Sequence, residues 1–117
     1  MYMNPQKLKE VETEIRNKYM LFTYKLKDNI EDNFEVTVEK VHVSLGQEEQ
    51  FYIDIFIVFK QIDRPLQNKI VDYLEDMFKQ DKGQHIEISD SYFPGNIDIE
   101  IRSDKLNKTI KEKVIDN

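Results

Sequence analysis

The amino-acid sequence predicts an α+β fold in the order α-β-β-α-β-β-α, with a four-stranded antiparallel sheet and its helices packed mainly on one face. Three observations predict it. Apolar residues recur at helical spacing at the start, middle and end of the chain, and two stretches of period-two alternation lie between them. The length, 117 residues, suits one hydrophobic core and is too short for two. We therefore expect a single domain over 1–117, with the C-terminus fraying over about residues 112–117.

Leu8, Val11, Ile15, Tyr19, Phe22, Leu26 and Ile30 step by three or four and lie on one stripe of a long helix. Asn4 is placed to cap it and Pro5 fits its first turn, while the turn formers from Asp28 to Asn33 suggest an end near residue 30. Phe34, Val36 and Val38 alternate in even register, and Val41, Val43 and Leu45 in odd register. A β-bulge at Glu39–Lys40 makes that switch. After a turn at Gly46–Glu49, Phe51–Phe59 is apolar on both faces apart from Asp54, which predicts an interior strand.

Asp63-Arg64-Pro65 opens a second helix with Leu66, Ile70, Tyr73, Leu74, Met77 and Phe78 on one face, and Gly83 is placed to end it. Ile86 and Ile88, then Ile97, Ile99 and Ile101, form a second hairpin around Pro94-Gly95. Leu106, Ile110 and Val114 mark a third helix that Ser103 caps.

No cysteine is present, so disulfides and thiolate metal sites are excluded. No run approaches the about 20 apolar residues of a membrane-spanning helix, and charges interrupt the N-terminal region where a signal peptide needs an apolar stretch. A soluble, cytoplasmic protein with no membrane partner is expected. Alanine is absent and Ile, Lys, Asn, Phe, Tyr and Met make up 53 of the 117 residues, a bias that points to an AT-rich gene of a low-GC bacterium or its phages.

The net charge is −6, and residues 28–63 alone carry nine acidic groups against two basic ones. That balance repels phosphates and argues against direct nucleic-acid binding. Asp54, Glu87, Asp98 and Glu100, if they share one sheet face, form a patch able to attract a basic partner, including a nucleic-acid-binding protein whose ligand the patch imitates. Tyr92 and Phe93, on the loop before Pro94, are candidate partner anchors.

Phosphate-binding and nucleophile motifs are missing, and three glycines leave little material for a phosphate cradle. No catalytic residue and no cofactor is expected. Asp98-Ile99-Glu100-Ile101-Arg102 resembles the acidic strand of metal-dependent nucleases of the restriction-enzyme type, with Arg102 where that pattern has lysine. His42, with His85 and Glu87 on one face of the next hairpin, is a candidate zinc set. The pattern from Val38-Glu39-Lys40-Val41-His42-Val43 to His85-Ile86-Glu87 resembles the cytosolic domain of cation-diffusion transporters over residues 34–89. That resemblance implies a helix-strand-strand-helix-strand fold with metal-binding histidines.

The leading expectation is a non-enzymatic protein that binds, and inhibits or neutralises, another protein, as small acidic proteins of phages and toxin–immunity pairs do. The metal-sensing or regulatory domain is the alternative and the metal-dependent nuclease the third. A homodimer through the first helix is also expected, because Leu8, Val11 and Ile15 outrun a sheet of this size and need cover. The third helix, with Leu106, Ile110 and Val114, is the competing cover within one chain.

Overall fold

Asn4 accepts from the backbone N–H groups of Gln6 and Lys7 at 2.9 and 3.3 Å, and this cap starts helix α1, Pro5–Phe34. In this computed structural model, which describes residues 2–79, 83–90 and 95–116, α1 continues past the predicted end at residue 30. The turn formers stay helical because Leu26, Ile30 and Phe34 extend the buried stripe by further steps of four. Ile30 is fully buried, and Phe34, expected in a strand, lies edge-on to Tyr73 with ring centroids 5.3 Å apart. Glu35 ends the helix in the left-handed region, φ 51°, its N–H donating to Glu31 O.

The described strands are β1 (Tyr2–Met3), β2 (Val38–Gln47), β3 (Phe51–Phe59), β4 (His85–Asp90), β5 (Asn96–Arg102) and β6 (Ile115–Asp116), with helices α2 (Arg64–Phe78) and α3 (Asp104–Val114). Four strands make one antiparallel sheet in the order β2-β3-β5-β4. This is the predicted α+β architecture. The register shift between Val38 and Lys40 is the expected bulge, and β3 is interior, with Ile53, Ile55 and Ile57 fully buried. Because β5 lies between β3 and β4, residues 34–89 do not close into a sheet of their own, which weighs against the transporter-domain pattern.

Caps set the other helices. Asp63 Oδ1 accepts from Leu66 N at 2.9 Å, and Ser103 Oγ from Leu106 N at 3.0 Å. Helix α2 ends at Phe78 with Lys79 as its right-handed cap, so Gly83, φ 88°, lies beyond its end and does not form it. Gln67, fully buried on α2, donates to Asn96 O and accepts from Gly95 N, tying the helix to the start of β5.

Helix α3 covers the N-terminal part of α1. Val11 and Ile15 are buried there beside Leu106 and Ile110, and Lys113 pairs with Glu14 at 3.2 Å. The cover expected from a second copy is thus supplied within the chain. Near the C-terminus Val114 is fully buried, and the backbone of β6 pairs with β1. On the solvent side of α1, Met20, Leu21 and Tyr24 are exposed.

Candidate functional site

Alternation along each strand gives the sheet one face of buried Ile, Val and Phe under the helices and a second face that no described helix covers. Pairing fixes which side chains meet on the open face. Ser44, Asp54, Glu100 and Glu87 form one cross-strand row; His42, Phe56, Asp98 and Ser89 form the next. All four acidic residues singled out in the sequence therefore share this face. Tyr92 and Phe93 lie outside the described residues.

Asp54, Asp98 and Glu100 converge, with carboxylate oxygens within 4.8 Å of one another. The Oδ1 atoms of Asp54 and Asp98 are buried and accept no hydrogen bond from another group. Two ionised carboxylates cannot satisfy each other, but a proton held by one becomes a donor to the other. Burial, followed by the hydrogen bond to Asp54 and its charge, pushes the Asp98 carboxyl up to about 7 from 3.8. Near neutral pH the pair is thus poised to share a proton or to accept a cation in its place.

Glu100 has a cation already. Arg102 Nη2 binds its Oε2 at 3.0 Å and Glu48 Oε2 at 3.2 Å, while the guanidinium carbon lies 4.2 Å from the centre of the Tyr52 ring. Burial first, then the charges of Glu100, Glu48 and Asp54, raises the Tyr52 hydroxyl above its ordinary value. Arg102 thus occupies the lysine position of the nuclease-like strand as an ion-pair and stacking group. Glu87 stands at the exposed end of its row, outside the triad.

The histidine set does not assemble. His42 is on β2 and His85 and Glu87 are on β4, at opposite edges of the sheet, three strand spacings or about 14 Å apart. Among the described residues the only group of three able to hold a metal ion is Asp54, Asp98 and Glu100, an all-oxygen set suited to a hard divalent cation rather than zinc.

Sequence reasoning missed the Asp54–Asp98 pair and the Arg102–Tyr52 stack. The alternation that places Tyr52, Asp54 and Phe56 on one face was a partial signal, but the pairing of β3 with β5 was not. No helix among the described residues is long and apolar enough to cross a membrane. No protein-family model, curated protein or solved structure matches this chain.

Proposed function

We propose that the chain is a non-enzymatic cytoplasmic protein-binding module that inhibits or neutralises a partner with a basic surface, docking it on the helix-free sheet face. The observation that carries this reading is the gathering of Asp54, Glu87, Asp98 and Glu100 in adjacent rows of one face, with two carboxylate oxygens buried and unmatched. A lysine or arginine of the partner pairs with the carboxylate oxygens that reach the surface of this face, and partly buried Phe56 and Val58 add apolar contact beside them. A nucleic-acid-binding protein fits this chemistry, since its phosphate site expects a row of negative charge.

The test compares proteins retained from the native host by the wild type and by the fourfold variant Asp54→Asn, Glu87→Gln, Asp98→Asn, Glu100→Gln. A retained protein is then purified and titrated at low and high salt. The reading predicts a partner lost by the variant and weakened by salt. Identical retention by both chains refutes it.

The triad itself favours a second reading, a divalent cation held by Asp54, Asp98 and Glu100, as the nuclease pattern implies. Calorimetric titration with magnesium, calcium and manganese separates the two: stoichiometric uptake abolished by Asp54→Asn supports the cation, and no heat removes it.

A further inference from the structure

We propose that the outer edge of β4, with the groove between it and α2, is a strand-docking site for an extended segment of the partner that alternates cationic and apolar residues. This rests on the reading above and names the form in which a partner reaches the acidic face.

Hydrogen bonding fixes which backbone groups are free. Phe59 N donates to Gly95 O, so the odd-numbered residues of β3 and β5 turn their N–H and C=O groups toward each other. The even-numbered residues of β5 then serve β4, where Arg102, Glu100 and Asp98 pair with His85, Glu87 and Ser89. Ile86, Ile88 and Asp90 are left with their N–H and C=O groups pointing outward, where no described strand pairs with them. The opposite edge is guarded differently, since Arg16 of α1 donates to Val43 O at 3.0 Å.

Beside the open edge runs a groove of about 360 Å³, with Phe78, Ile86 and Ile88 as its apolar part and Glu75, Asp76 and Lys79 as its charged part. An added strand lies about 4.8 Å from β4 and points its side chains alternately to the two faces. On the groove side they meet Ile86 and Ile88, which favours valine or isoleucine. On the open side they stand beside Glu87, with Glu100 one strand further in, which favours lysine or arginine. A second copy of β4 suits this edge poorly, because it brings another Glu87 to the side of the sheet where Glu87 and Glu100 already stand, while Asp90 is already paired with Arg64 at 2.8 Å.

The probe is a synthetic peptide of about seven residues alternating arginine and valine, titrated into the full chain with amide hydrogen exchange followed by NMR. Two N-methylated versions keep every side chain and charge, each blocking one alternate set of backbone donors. Docking predicts new protection at the amides of Ile86, Ile88 and Asp90, and one N-methylated phase binding at least about tenfold more weakly than the other. Equal binding of all three peptides overturns strand docking and leaves the acidic face as an electrostatic surface. Absence of binding by any of them also overturns it, while the comparison of retained partners judges the face independently. Protection of the same amides without peptide, growing with protein concentration, overturns it in favour of a second copy.

Discussion

Replacing Asp98 by asparagine removes a titrating group from the sheet's open face while keeping its shape, and so should alter how stability depends on pH. In the folded chain Asp98 takes up its proton as the pH falls through about 7, whereas in the unfolded chain it does so only near 3.8. Between those values the native state holds the extra proton, so its stability rises as the pH falls from about 7 toward 4. Above about 7 the folded state carries the full cost of a buried, ionised Asp98. With water wholly excluded, that displacement corresponds to about 4 kcal/mol. The face is partly open to solvent, which reduces the expected effect to about 1–2 kcal/mol. Urea unfolding of the wild type and Asp98→Asn, at intervals from about pH 4.5 to 8.5, should show the variant gaining by that amount at the alkaline end and the gain vanishing at the acid end. Asp54→Asn should reproduce part of the effect, since Asp54 supplies the contributions after burial. A difference between Asp98→Asn and wild type that stays constant across the range would refute the buried-carboxyl argument.

Ile55→Ala or Ile57→Ala, at fully buried positions of β3, should each cost about 2–5 kcal/mol in urea unfolding, and losses below about 1 kcal/mol at both would contradict the interior strand. Gln67→Leu leaves Gly95 N and Asn96 O without their buried partner and should cost about 1–3 kcal/mol, with faster amide exchange at the start of β5 as its local signature. For self-association through α1, Val11→Glu is not a clean probe. It places a charge in the contact with α3 and should destabilise the fold. Leu21→Glu changes an exposed position, so any dimer formed through this helix should dissociate in sedimentation equilibrium while unfolding is unchanged within about 0.5 kcal/mol. A dimer that survives Leu21→Glu moves the interface away from that helix face.

The elements were legible in the sequence because each rests on local physics. Steps of three and four along α1, alternation along β3 and β5, and caps at Asn4, Asp63 and Ser103 depend on neighbours within a few residues. Where two local signals competed, the sequence alone misjudged: Asp28–Asn33 suggested a turn, but burial of Ile30 and Phe34's contact with Tyr73 outweighed it and carried the helix to Phe34. The shared phase of Asp98 and Glu100 was legible in the same way, being two residues apart on one strand. Strand order and register were not, because they depend on contacts between residues far apart in the chain. Insertion of β5 between β3 and β4 brought Asp54 against Glu100 and beside Asp98, and the same order sent His42 and His85 to opposite edges. The cover of Val11 and Ile15 was decided at that level too, since either a second copy or α3 satisfies an apolar stripe and only the path of the chain brings α3 there. Local sequence thus determined which segments are helix or strand and which side chains share a strand face. Tertiary pairing alone decided which of those faces meet, and with it which carboxylates converge.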